Sequence, residues 1–374
     1  MAEYTGGSVV SYYVDGVNGN NTNNGTSPGT AWKTIQYGFD KIADSTLGDG
    51  DELRIMATKV YHIGAPLTST WSSKEVVITG ATSANTALVD GTVVEINGNT
   101  ADMDGKTMCH SSVATNDHTI FANLYFNAAD NAQCCFHDSV TNTHLSRFIN
   151  CRFSSAKEDG VRIDSSNYYR WYNCRFDNNA GIGCYQSGSQ FGIAYKCLYD
   201  NNGGDGLKIA TSAIVIDCVS FGNSADGIAS SCSGVDVVNC VLDSNFNNGH
   251  EIAGGGRAVG IGNIYSNNGS GGAAGSGIVV GSNAETALFN CQFHNNDTTW
   301  GYTTGTDHLS LYNCVTGGSD PGFLQPYGPT FDFTPSSTFS GIGNGMPTPF
   351  TWFGSTADDI GLNKWKSSES ISVF

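Results

Sequence analysis

Apolar and polar positions alternate along this chain in very short runs, and the runs return at a fixed interval. An apolar residue, then Asn or Asp, then Cys, one further residue and an aromatic recur as Ile149-Asn150-Cys151-Arg152-Phe153, Tyr172-Asn173-Cys174-Arg175-Phe176 and Tyr195-Lys196-Cys197-Leu198-Tyr199, the last with Lys in the Asn place. Ile216-Asp217-Cys218-Val219-Ser220, Val238-Asn239-Cys240, Phe289-Asn290-Cys291 and Tyr312-Asn313-Cys314 continue the series. Successive cysteines stand 23, 23, 21 and 22 residues apart, a cysteine-free coil at Gly262-Asn263-Ile264-Tyr265 lies 23 after Cys240, and a step of 28 leads on to Cys291. A fixed period of about 22 residues marks stacked architecture. Each coil carries a second short strand after an Asn- or Asp-rich turn: Asp159-Gly160-Val161-Arg162-Ile163, Ala180-Gly181-Ile182, Asp205-Gly206-Leu207-Lys208-Ile209, Asp226-Gly227-Ile228, Gly249-His250-Glu251-Ile252 and Gly277-Ile278-Val279. Two strands and their turns in that length make one rung of a parallel β-helix. Leucine-rich repeats of similar period would place several Leu at fixed intervals, and these are missing.

Parallel strands of adjacent rungs stack about 4.8 Å apart, so equivalent residues form columns. In the second strand Val161 and Ile163 face one way and Arg162 the other, which puts Arg162, Gly183, Lys208, Ala229 and Glu251 on one outer wall. Open coils need caps. At the N-terminus a strand over Ser11 to Val14 precedes a segment from Thr30 to Ile42 with Ile35, Phe39 and Ile42 on one helical face, read as a helix plugging the first coil. The chain thus reads as one elongated all-β domain: residues 1–48 a strand, loop and capping helix, 49–325 the coils, and 326–374 a C-terminal cap or oligomer contact rich in Phe and Trp.

The 48 Gly and only 14% charged residues among 374 fit many strands and tight turns and exclude an all-helical fold. A formal charge of -17 argues against nucleic acid and anionic membranes as partners. The charge is uneven. From Arg147 to Lys208 there are eight basic and six acidic residues, +2 against -19 elsewhere. No apolar stretch approaches the roughly 20 residues that span a bilayer, and Met1-Ala2-Glu3-Tyr4 does not begin a secretory signal. The expectation is a soluble protein, extracellular or virion-associated.

Tyr13-Val14-Asp15-Gly16, followed by Gly25-Thr26-Ser27-Pro28-Gly29-Thr30-Ala31-Trp32-Lys33-Thr34-Ile35-Gln36, resembles the opening of pectate-lyase-like right-handed β-helix proteins. Asp320-Pro321-Gly322-Phe323 and Asp359-Ile360-Gly361 look like segments that end their coils. The resemblance implies the fold. For activity it implies only a group of polysaccharide lyases, glycoside hydrolases, epimerases and phage tailspikes, the last usually homotrimers. The polygalacturonase pattern is not met, since only Gly249-His250 and Leu207-Lys208-Ile209 echo it.

Seven cysteines in one column are read as a ladder of buried thiols rather than a metal array, whose ligands must converge. The Asn column is read as amide ladders at turns. Asp159, Asp205 and Asp226 precede turn glycines; projected onto the wall they would be paired acids for glycoside hydrolysis, and Asp205 with Asp226 would suit Ca²⁺. Arg162 and Lys208 are candidates to neutralise a uronate and remove its C5 proton. Lys157, Tyr168 and Tyr185 are candidate sugar contacts, and His250 with Glu251 a secondary acid-base pair. The basic cluster tips the reading slightly toward a lyase on an acidic or surface polysaccharide. The rival readings are a hydrolase, and a non-enzymatic tailspike, receptor-binding or structural β-helix.

Overall fold

A single residue in the left-handed backbone conformation turns one corner of each coil. Asn150, Asn173, Asp217, Asn239, Asn290 and Asn313 have φ between 51° and 53°. Asn and Asp tolerate this conformation because their short polar side chains bond locally. The corner cuts the sequence repeat in two: Arg147–Ile149 ends before Asn150 and Arg152–Ser154 begins after it. Each coil therefore has three short strands where the repeat alone predicts two.

The computed structural model describes residues 9–71, 75–82, 93–111, 118–139, 146–164, 168–188, 191–231, 234–269, 275–302 and 308–317. The expected C-terminal segment 326–374, the coil-ending motifs at Asp320 and Asp359, and Cys232 fall outside them. The chain divides into two compact units, one ending at Cys174 and the next starting at Arg175. Both are parallel β-solenoids with three sheets, here called first, second and third in the order the chain visits them.

In the first unit the first sheet runs from Ser11–Val14 through Glu52–Met56, Val77–Ala81, Ile120–Ala122 and Arg147–Ile149 to Arg170–Tyr172. Its third sheet contains Leu67–Ser69, Cys109–Ser111, Phe136–Asp138 and Val161–Ile163. In the second unit the second sheet begins at Arg175–Asp177 and proceeds through Leu198–Asp200, Val219–Phe221, Val241–Asp243, Ile264–Ser266 and Gln292–His294 to Val315–Thr316. Its third sheet holds Cys184–Gln186, Leu207–Ile209, Ile228–Ser230, His250–Ile252, Ser276–Val280 and Thr298–Tyr302. The strand expected at Ala180–Ile182 forms at Cys184–Gln186 instead, starting as far after Asn179 as Leu207–Ile209 starts after Asn202, so Ile182-Gly183 takes the place of Asp205-Gly206.

The expected helix is present as Ile35–Ala43, started by Thr34, whose hydroxyl accepts from the Tyr37 amide at 3.3 Å. Ile35, Phe39 and Ile42 are buried, and Phe39 meets Trp71 edge-on at 5.2 Å. Inward residues stack coil on coil. Phe121, Phe148 and Trp171 lie 5.0 and 4.5 Å apart in the first unit, and Phe176–Tyr199 and Tyr265–Phe293 are each 4.9 Å apart in the second. The eleven described cysteines are free thiols, all buried except half-exposed Cys314. The Cys197 amide donates to Cys218 Sγ at 3.3 Å and the Cys218 amide to Cys240 Sγ at 3.4 Å; Asn263 then takes the cysteine place, accepting from the Cys240 amide at 2.9 Å.

Two asparagine ladders run with the strands. At the left-handed corner, Asn150 donates to Asn123 at 2.7 Å and Asn313 to Asn290 at 2.8 Å. A second ladder precedes the third sheet, buried from Asn179 to Asn268 and ending at half-buried Asn296: Asn179, Asn202, Asn223, Asn245, Asn268 and Asn296 pass side-chain amide bonds of 2.9 to 3.0 Å from one coil to the next. Among the described residues no helix is long and apolar enough to cross a membrane.

Asn245 also donates to the Ser220 carbonyl at 3.1 Å and accepts from the Asn223 amide at 3.3 Å. Asn245→Ala leaves these buried groups without partners, and should cost about 2 to 4 kcal/mol in urea denaturation. A loss under about 1 kcal/mol would show that the ladder does not hold the coils.

Candidate functional site

Strand alternation decides which side chains reach the outside of the third sheet. In the first unit the outward middle positions are Thr68, His110, His137 and Arg162, in register. In the second unit they are Tyr185, Lys208, Ala229, Glu251 and Val279. Tyr185, not the expected Gly183, therefore stands beside Lys208. Each unit gathers its own polar cluster on this face.

In the first unit the centre is Asp164. Arg162 Nε donates to both its oxygens at 3.0 and 2.9 Å, and His137 Nε2 lies 3.0 Å from Oδ2. Arg162 also reaches Asp159 at 3.5 Å. Burial alone would raise the Asp164 pKa, but the hydrogen bonds from Arg162 and His137 outweigh it and hold it below the ordinary range. The rings of His110 and His137 are 5.8 Å apart, and burial, then the neighbouring imidazole, pushes the His110 pKa down. Lys157 pairs with Asp104 two coils back, Glu158 accepts from Gln133 at 2.9 Å, and Tyr168 is half-buried.

In the second unit the cluster is acidic. The turns before Leu207–Ile209 and Ile228–Ser230 hold Asp205 and Asp226 beneath the outward face, 8% and 4% exposed. Their shape requires glycine next in the chain, since a Cβ on Gly206 would come within 2.3 Å of Ser220 Oγ, and one on Gly227 within 2.7 Å of the Gly249 carbonyl. Asp205 accepts from the Asp226 amide at 3.2 Å and lies 3.6 Å from Lys208 Nζ. Asp226 accepts from the backbone and side-chain amides of Asn248 at 2.9 and 2.8 Å. The Glu251 carboxyl of the next coil lies beside that of Asp226. Burial first, then the Glu251 carboxyl and the charge of Asp205, raises the Asp226 pKa to about 8. Burial also raises Asp205; the Asp226 amide and Lys208 counter it, and Glu251 adds to it.

His250 is a correction to the expected acid-base pair. It is inward, level with Ile228 and Ile278, and 1% exposed, so strand alternation separates it from outward Glu251. Its imidazole is 3.1 Å from Ser230 Oγ, and burial lowers its pKa to about 4, which keeps it neutral. The expected sugar contacts Tyr168 and Tyr185 are half-buried, whereas the nearby Tyr169 and Trp171 are core. For Ca²⁺, which takes roughly six to eight oxygens, Asp226 is already engaged by Asn248 and Glu251. Among the described residues no group of three or more His, Cys, Asp or Glu side chains is placed to hold a metal ion.

A family model described as the right handed beta helix region matches residues 110–263. The chain is a right-handed parallel β-helix. Comparison with curated protein sequences gives no match. Among solved structures, the β-helix is similar to pectate lyase Pel9A, with a TM-score of 0.50, 12% identity and coverage of 97% of this chain and 98% of the other. It is also similar to the A-module of the Azotobacter vinelandii mannuronan C-5 epimerase AlgE4, with a TM-score of 0.50, 13% identity and coverage of 81% and 95%.

The repeat does not reveal His110, His137 and Asp164. The signal is nonetheless there: Phe136-His137-Asp138 lies 25 residues before Val161-Arg162-Ile163, within the spread of the coil lengths, but an adjacent Cys134-Cys135 stands where later coils of the β-helix have Asp-Gly.

A carboxyl with a raised folded-state pKa contributes stability fully present below its unfolded value of about 3.9 and lost as pH rises through the folded value. For Asp226 the window is about pH 4 to 8. The urea midpoint of the parent protein should fall between pH 5 and pH 8.5 by more than that of Asp226→Asn. An equal fall in both would show that Asp226 does not hold the proton.

Proposed function

We propose that this β-helix cleaves a polysaccharide by acid-base hydrolysis on the outer face of the third sheet in its second unit. The observation that carries the reading is the cluster of the buried Asp226 carboxyl, outward Glu251 on the next coil and Asp205 on the coil before. A carboxyl that keeps its proton near neutral pH, as burial and its acidic neighbours make Asp226 do, is what protonation of a glycosidic oxygen requires. Asp226 holds the proton, and Glu251 is the outward carboxyl beside it, on the side where the sugar would lie. Asp205, two coils from Glu251 and so about 10 Å away along the stack, is the carboxylate that activates water, with Lys208 beside it. Tyr185, in register with Lys208, offers a ring face to a sugar.

β-Elimination draws on Arg162 and Lys208, but Arg162 is committed to Asp164 and Asp159, and Lys208 faces Asp205. Both fold neighbours are named for enzymes of acidic polysaccharides; at 12% and 13% identity that likeness reaches the fold alone, and the side chains support the chemistry. A protein with this task belongs outside the cell or on a virion.

The test is incubation with a panel of acidic and neutral polysaccharides, with and without Ca²⁺, following reducing ends and the ultraviolet absorbance of unsaturated uronate. Reducing ends without absorbance are expected, and Asp226→Asn and Glu251→Gln should each lower kcat by about 100-fold or more. Absorbance would replace hydrolysis by elimination and move attention to Arg162, Lys208 and His137. Binding without either signal would make the face an adhesion surface.

A further inference from the structure

The outer face of the first sheet in the second unit carries a groove that the acid cluster does not use. Its strands there include Val235–Val238, Arg257–Ile261, Glu285–Phe289 and His308–Tyr312, paired in register. Strand alternation sends three columns outward. The middle column, Val259, Ala287 and Ser310, is short, and Asp236 stands at its head. A groove of about 380 Å³ lies over it, within the range of small-molecule sites, and is lined along one side by Arg257, Glu285 and His308. On the other side the outward column is apolar: Ile261, Phe289 and Tyr312, with Phe289 36% and Tyr312 52% exposed and their rings stacked at 4.7 Å.

The charges are unequally matched. Arg257 pairs with Glu285 at 3.1 Å. Asp236 has no hydrogen-bond or ion-pair partner among the described residues, and burial alone raises its pKa. The groove thus holds a carboxylate that has lost part of its water and gained nothing in return.

We propose that this groove binds a chain of neutral sugar residues lying along the stack. A pyranose ring has an apolar C–H face and a rim of hydroxyls, which suit the apolar column and the charged one. Asp236 accepts from sugar hydroxyls and so regains the hydrogen bonds its surroundings withhold. It also turns away a uronate, because Arg257 is already paired with Glu285. Successive coils present equivalent side chains about 4.8 Å apart, close to the length of one sugar unit, so a linear glycan meets a like position at each residue. The groove lies on a different sheet from Asp226 and Glu251 and holds the glycan whether or not they cleave it.

The test is calorimetric titration of the full chain with cellohexaose, laminarihexaose and mannohexaose as neutral probes and hexagalacturonate as the acidic one. Binding of at least one neutral probe is expected. Asp236→Asn and Ala287→Trp, which fills the floor, should each weaken it about 10-fold or more at an unchanged melting temperature; Val259→Trp serves if Ala287→Trp does not fold. Any release of reducing ends from the hexaoses should be the same in these variants, which separates the groove from the third sheet. Binding that Asp236→Asn and the floor-filling variant both leave intact, binding of hexagalacturonate alone, or no binding of a neutral probe would overturn the proposal. So would a dimer in sedimentation that Ala287→Trp dissolves, since the groove would then hold a second copy.

Discussion

A coil of three flat strands closes only if something turns its corners without breaking the hydrogen bonds to the coils above and below. Here the turning is done by asparagine. At one corner a lone left-handed Asn or Asp bends the chain, and its side chain binds its counterpart one coil away. At the next, the Asn179-to-Asn296 ladder, buried along all but its last member, ties the turn into the third sheet. These side chains are too polar to be buried alone, and only the repeat gives each of them a partner. One coil thus has no stable form without its neighbours, and stability accumulates along the stack rather than around a centre.

The same constraint makes the candidate site. Because the ladder draws the turn inward, Asp205 and Asp226 are pulled beneath the third sheet rather than left in solvent. The side-chain amide of Asn248, whose own carbonyl oxygen accepts from the Ser276 amide at 2.9 Å, reaches Asp226. Carboxyls packed this way one coil apart cannot all ionise, and burial with the neighbouring acids leaves the proton on Asp226. The unusual acid is a by-product of the way the coils are stacked.

This explains what the sequence discloses. The cysteine and asparagine columns were legible because they recur with the period, and so were the helix at Ile35–Ala43 and the outward placing of Arg162, Lys208 and Glu251. The third strand of each coil was not, since a single left-handed residue leaves no gap in the apolar pattern. His250 misled for the opposite reason: as a polar residue in a strand it suggests the surface, yet its parity places it with Ile228 and Ile278 inside. Asp164, His137 and the Asp226–Glu251 contact depend on register between distant segments, which no local spacing encodes.

The second ladder also bears on how long the molecule lasts. Asn202-Gly203, Asp205-Gly206, Asp226-Gly227 and Asn248-Gly249 are the dipeptides most given to spontaneous ageing, in which the glycine nitrogen attacks the preceding side chain and leaves a succinimide, then an isoaspartate. In each of the four that nitrogen is tied to the neighbouring coil, donating to the carbonyls of Asn179, Asp226, Asn248 and Ser276 at 2.8 to 2.9 Å. A nitrogen so held cannot swing onto its own chain. The turns most exposed to chemical wear are thereby locked while the coils remain stacked, and the clock on them starts only where the stack opens.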